Sequence, residues 1–186
     1  MVHWWLMKLF MGKKGKKKKN VLLFKVDFNK AFDLINWEFL DSNMKAMGFG
    51  DKWRCWINGV KQGDPLSQFL FIIEMEGLSV AMRAACDRGV FHSLKIPHDA
   101  PLISHLLYVD EVLFLGQWSE QNIKSLARIL HCFHVFSGLK VNFNKSRVFG
   151  IGVNMQEVSR FARPLGCEPA TLPFTYLGPS LSEYEI

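Results

Sequence analysis

No Cys-x-x-Cys pair occurs in the chain. Cys55, Cys86, Cys132 and Cys167 are widely scattered, which argues against a zinc knuckle and fits reduced intracellular thiols. No apolar run approaches the length needed to span a bilayer, so no membrane partner is expected. The opening segment, Met1 to Met11, puts its charges after the apolar stretch, the reverse of a secretory signal. Internal repeats are absent. Acidic residues are fewer than basic ones, 17 against 23, for a net charge of +6. That excess is local, because Lys13, Lys14, Lys16, Lys17, Lys18 and Lys19 account for all of it; without them 17 basic face 17 acidic residues. Such a run ordinarily reads as a solvated, disordered tail, here residues 1–20. Nuclear import or phosphate-backbone contact is the sharper reading.

What is present is a sizeable apolar content, 49% of 186 residues, enough for one domain with a real core or for part of a larger one. The stretch from Leu102 to Leu115 holds two apolar runs of strand length around one acidic pair, Asp110-Glu111. Runs of this density suit strands buried on both faces. The pair falls at the tip of a tight hairpin, where bare burial would be costly, so it calls for water, a partner or a cation. Taken alone it is an ordinary polar turn. A second run, Val21-Leu-Leu-Phe-Lys-Val-Asp27, ends on another carboxylate. Carboxylates at the ends of neighbouring strands can share hard cations such as Mg²⁺, which in turn bind phosphate oxygens.

Between these runs the periodicity is helical. Trp37, Leu40, Met44 and Met47 recur at helix spacing, with Asn36 as N-cap and Gly48 past the end. A second helix starts at Asp51 and is expected to bury Trp53, Trp56 and Ile57. Asn58 to Gly63 reads as a loop. Asp64-Pro65 opens a long helix, with an expected apolar face of Leu66, Phe69, Leu70, Ile73, Gly77, Val80, Ala81 and Ala84, stopping before Gly89. After the hairpin, Ser119 caps a helix carrying Ile123, Leu126, Ala127, Leu130 and Phe133 that ends at Gly138. Strands over 139–143 and 146–151, a short helix over 155–162 and a strand over 174–177 follow. The result is an α+β fold in the β-α-β-β-α-β order of ferredoxin-like, split-βαβ sheets, with one extra helix and helices on one face. Asp27 and Asp110 would then meet on the open face. That order carries no chemistry by itself.

Five motifs stand in sequence: Lys25-Val-Asp-Phe-Asn-Lys-Ala-Phe-Asp33, Lys61-Gln-Gly-Asp-Pro-Leu-Ser67, Tyr108-Val-Asp-Glu111, Ser137-Gly-Leu-Lys-Val-Asn-Phe-Asn-Lys-Ser146 and Tyr176-Leu-Gly178. Together they resemble the successive palm motifs of reverse transcriptases from non-LTR (LINE-type) retrotransposons, most of all those of plants. The resemblance covers residues 21–180 as a palm-like domain and leaves 181–186 as a tail. It implies RNA-directed DNA polymerisation, with an RNA template, a DNA primer and deoxynucleoside triphosphates as partners. Two Mg²⁺ ions, or Mn²⁺, would serve as cofactors. Asp27 and Asp110 match the family's metal-binding aspartates, and Glu111 stands where a second aspartate is expected. Phe32 matches the side chain that excludes a 2′-hydroxyl, Gln62 and Gly63 the loop beside nucleotide and template, and Lys145 the lysine that neutralises or protonates the leaving group.

Alone, each residue has a plainer reading. Phe32 is then a core aromatic, Asp64 a helix cap, Asp33 a turn residue and Lys145 a solvated lysine. His131 and His134 share a helix face without a matching carboxylate and read as structural or exposed. The six tryptophans read as core. The chain also departs from the family. Glu111 adds a methylene to an aspartate position. Trp56 to Val60 runs almost directly into the Gln62 loop, as if a palm segment with its paired strands were deleted, and an unpaired sheet edge would then favour self-association. Fingers and thumb are not seen in the chain. The expectation is a truncated palm, inactive by itself; the alternative is a non-catalytic nucleic-acid-binding remnant.

Overall fold

The computed structural model describes residues 20–29, 35–57, 66–94, 102–108, 111–172, 174–175 and 180–181. Its axis is β1, Val21–Asp27. With β2 (His105–Tyr108), β3 (Glu111–Gln117), β4 (Arg147–Ile151) and β5 (Glu168–Ala170) it forms one sheet in the order β2-β3-β1-β4-β5. β1 pairs antiparallel along its whole length with β3, from Val21↔Gln117 to Asp27↔Glu111. On its other side it pairs antiparallel with β4, from Val21↔Ile151 to Lys25↔Arg147. β2 is antiparallel to β3 and β5 is parallel to β4. Phe174–Thr175 (β6) and Ser180–Leu181 (β7) make a separate two-stranded ribbon.

A strand with neighbours on both sides and cover on both faces must be apolar at nearly every position, and β1 is. Leu22, Phe24, Val26 and the following Phe28 belong to the larger core cluster with Val112 and Phe114 of β3 and Val148 of β4. The helices α3 (Leu66–Asp87), α4 (Glu120–Ser137) and α5 (Met155–Leu165) complete that cluster. They do so with Phe71, Met75, Leu78 and Met82, with Ile123, Leu126, Leu130 and Phe133, and with Val158 and Ala162. The alternate residues Val21 and Leu23 point the other way, as the two-residue period of a strand requires. They join Leu94, Leu113, Leu115 and Phe149 in a second cluster. Beyond Leu23 that second face changes character, for its next two β1 residues are Lys25 and Asp27.

α1 (Trp37–Ala46) starts where Asn36 Oδ1 accepts the amides of Glu38 and Phe39, at 3.0 and 3.3 Å. α2 (Asp51–Ile57) follows, and both pack on α3 through Leu40, Met44, Ile57, Leu70 and Ile73. Ser119 Oγ caps α4 by accepting the Asn122 amide, and Gly138 ends it at φ 80°, a left-handed conformation that glycine adopts without strain.

Three expectations need correction. Of the expected α3 face Leu70 and Ile73 are buried, but Leu66, Phe69, Val80 and Ala81 are exposed, and Phe71, Met75, Leu78, Met82 and Ala85 are buried in their place. Because α3 is apolar nearly all round, periodicity alone leaves its orientation open, and the sheet decides it. Trp53 and Trp56 are not core: they are 50% and 70% exposed and pack on each other, leaving Ile57 as the buried residue of α2. Residues 139–143 form no strand beyond a single Val141↔Phe28 bridge, because the chain turns at Asn142. Residues 58–61 of the expected Trp56–Lys61 connection, the Asp64 cap and residues 1–19 lie outside the described residues.

Candidate functional site

The charged end of the sheet is built by register. Asp27 and Glu111 are directly opposite partners on β1 and β3, which sets their Cβ atoms about 5 Å apart on one face. Lys25 is two residues before Asp27, so it lies on that same face, diagonal to Glu111. Its Nζ contacts Glu111 Oε1 at 2.8 Å, with the two side chains 22% and 30% exposed. On the other side of β1, Lys25 faces Arg147. Like charges placed directly opposite disfavour one another, and Arg147 turns away. Its Nη2 pairs with Glu168 Oε2 at 3.1 Å, and its Nη1 donates to the Asn144 and Ser146 carbonyls at 2.6 and 2.9 Å. Across β3, β1, β4 and β5 the face thus reads Glu111, Lys25, Arg147, Glu168, two cations between two carboxylates.

A turn closes this end from the side. The Asn142 amide donates to the Asp27 carbonyl at 2.8 Å, and the Asp27 amide donates to Ser146 Oγ at 3.3 Å. Ser146 Oγ donates in turn to the Asn142 carbonyl at 2.8 Å, which also accepts the Lys145 and Ser146 amides. Asn29 donates its amide to the Lys140 carbonyl at 2.8 Å. The backbone of Asp27 is therefore clamped on both sides by one turn, and the exposed Lys145 belongs to that turn. Two of the sequence-derived site residues, Asp27 and Glu111, are brought face to face, and Lys145 is carried on the neighbouring turn. Asp110, Phe32, Gln62 and Gly63 lie outside the described residues; the β2–β3 pairing is described up to Tyr108↔Glu111.

The reverse transcriptase (RNA-dependent DNA polymerase) family matches this chain over residues 5–181. The chain belongs to the reverse transcriptase family. One curated relative is the uncharacterized mitochondrial protein AtMg01250 of Arabidopsis thaliana, 34% identical over 94 residues, or 50% of this chain and 76% of that protein.

Reverse transcriptases generally use divalent metal ions, so the described residues of this one can be tested for fit. Among them no group of three or more His, Cys, Asp or Glu side chains is placed to hold a metal. Asp27 and Glu111 are suitably opposed, but the Glu111 carboxylate is already engaged by an ammonium group. The described part of this reverse transcriptase chain does not by itself fit a metal centre.

Lys25, Asn142, Ser146 and Arg147 went unassigned in the sequence. For Lys25 the signal was available, since a residue two before Asp27 in a strand must share its face. Ser146 and Asn142 carried none beyond their motif, because their role depends on contacts with a strand over a hundred residues earlier. A second unassigned acid, Glu74 on α3, is fully buried with neither oxygen hydrogen-bonded. Burial pushes its pKa from 4.5 up to about 8, opposed by the nearby Asn36 amide.

Proposed function

We propose that this chain is the palm of a LINE-type retrotransposon reverse transcriptase that does not polymerise on its own but still engages nucleic acid. The sheet order β2-β3-β1-β4 with β1 central supports a ferredoxin-like palm, as do core helices gathered on one face. In this reading Asp27, Asp110 and Glu111 are the family's carboxylate constellation, with Lys145 beside the leaving group, Phe32 against the sugar, and Gln62 and Gly63 beside nucleotide and template. The single observation that carries the inactivity is Glu111 in the grip of Lys25. A carboxylate with one more methylene than aspartate reaches about 1.5 Å further, and misplacement by an ångström in a polymerase site can cost about a hundredfold in rate. The basic run from Lys13 to Lys19 and the cations Lys140 and Lys145 favour retained nucleic-acid binding over a purely structural remnant.

The test is primer extension on an RNA template with Mg²⁺ or Mn²⁺, beside binding of the same primer–template over a salt series. The expected result is binding that weakens steeply with salt and no incorporation above that of Asp27→Asn. Robust extension that Asp27→Asn abolishes would show an intact polymerase site, and absence of salt-sensitive binding would remove the nucleic-acid role.

A further inference from the structure

Lys25, Asp27 and Glu111 form one compact group in which a lysine stands where a cation is wanted. Asp27 and Glu111 are a register pair, and Lys25, whose own partner on β3 is Leu113, reaches diagonally back to Glu111 Oε1 at 2.8 Å. Its direction has a cause on the other side of the strand. Arg147 is the β4 partner of Lys25, so the ammonium gains by leaning toward β3, while Arg147 is drawn to Glu168 and two carbonyls. The longer arm of glutamate brings its carboxylate to the ammonium without any shift of the strands. One oxygen of the Glu111 carboxylate is thereby engaged by Lys25.

We infer that Lys25 is the resident cation of this carboxylate pair, balancing its charge in place of a divalent ion, so that any metal must first displace the lysine. This rests on the reading of Asp27 and Glu111 as the family's carboxylate site.

The experiment titrates Mn²⁺ into the 186-residue chain, reading free Mn²⁺ by electron paramagnetic resonance. The variants are Lys25→Gln, Lys25→Met, Lys25→Arg, Asp27→Asn and the double variant Lys25→Gln/Asp27→Asn, each checked for a cooperative melt. Removing the lysine charge is expected to tighten Mn²⁺ binding about tenfold, in either neutral variant that melts cooperatively. Lys25→Arg keeps the charge and should behave as wild type, and the double variant should lose the gain. If the neutral variants bind no tighter than wild type while Asp27→Asn weakens binding, Lys25 is not the competitor and the inference falls, leaving the carboxylate site standing. If no variant shows binding that depends on Asp27, the carboxylate reading itself fails and takes the inference with it.

Discussion

Ser146 Oγ accepts the backbone amide of Asp27 at 3.3 Å across a sequence separation of 119 residues. The serine is fully buried and spends its own proton on the Asn142 carbonyl, so one hydroxyl joins the end of β1 to the turn that carries Lys145. Replacing it with alanine removes both bonds and unties β1 from the turn, although the Asn142 carbonyl keeps the Lys145 and Ser146 amides. Ser146→Ala should cost about 1–3 kcal/mol, measured as a lower urea midpoint at unchanged slope.

The Lys25–Glu111 pair is partly exposed, so its direct worth to folding should be modest. A double-mutant cycle with Lys25→Met and Glu111→Gln should return a coupling of about 1 kcal/mol or less. That coupling should shrink as salt is raised to 1 M, where screening acts within about 3 Å. A coupling several times larger, or one insensitive to salt, would mean that the pair is a structural bolt rather than an exchangeable contact.

Asn122 should be the most sensitive polar position in the core. Its amide donates to the His92 and Gln117 carbonyls, both at 2.8 Å, and its Oδ1 accepts the His92 amide at 2.8 Å. It thus ties the first turn of α4 to the end of β3 and to the segment after α3. Asn122→Leu keeps the branched shape but removes all three bonds, leaving the His92 carbonyl with only the Gln117 amide, and should lose about 3 kcal/mol in chemical denaturation.

Glu74 gives stability a pH dependence of definite sign. Its folded pKa of about 8 lies above the unfolded 4.5, so between those values the native state binds the extra proton. Stability from this group is complete below pH 4.5 and is lost as pH rises through 8. Glu74→Met keeps the side-chain length without the charge. It should be more stable than wild type by on the order of 4 kcal/mol at pH 8, with the pH-dependent part of the gain all but gone by pH 4.5. Urea titrations at pH 4.5, 6 and 8 would show it, and a pH-independent difference would count against a buried proton.

Much of the frame could be read from residue pattern. β1 was legible because a central strand must be apolar throughout, and α1 and α4 because Asn36, Ser119 and Gly138 mark their ends by local chemistry. The orientation of α3 was not legible, since Leu66, Phe69, Ile72 and Val80 are as apolar as the residues it buries, and only tertiary contact separates them. Leu139 to Phe143 alternates like a strand, but the Ser137 hydroxyl takes the Leu139 amide and Asn142 gathers the following turn, so local hydrogen bonds win over periodicity. At the site, motif order put Asp27 on a strand beside the Tyr108–Glu111 stretch, but that Glu111 is its direct partner is a matter of register. Nor is the Lys25–Glu111 contact legible from motif order, because it depends on which β3 residue stands diagonal to Lys25.

The central place of β1 has a cost during synthesis. Val21 leaves the ribosome long before its two neighbours, Gln117 and Ile151. A ribbon of seven residues, nearly all apolar, must therefore wait for β3 and then β4 to be made before its two edges are covered. Pairings this distant in sequence form slowly and leave hydrophobic surface open to aggregation meanwhile. The nascent chain should depend on chaperones until β4 emerges, and a product that stops short of Arg147 should accumulate as aggregate rather than as a smaller domain.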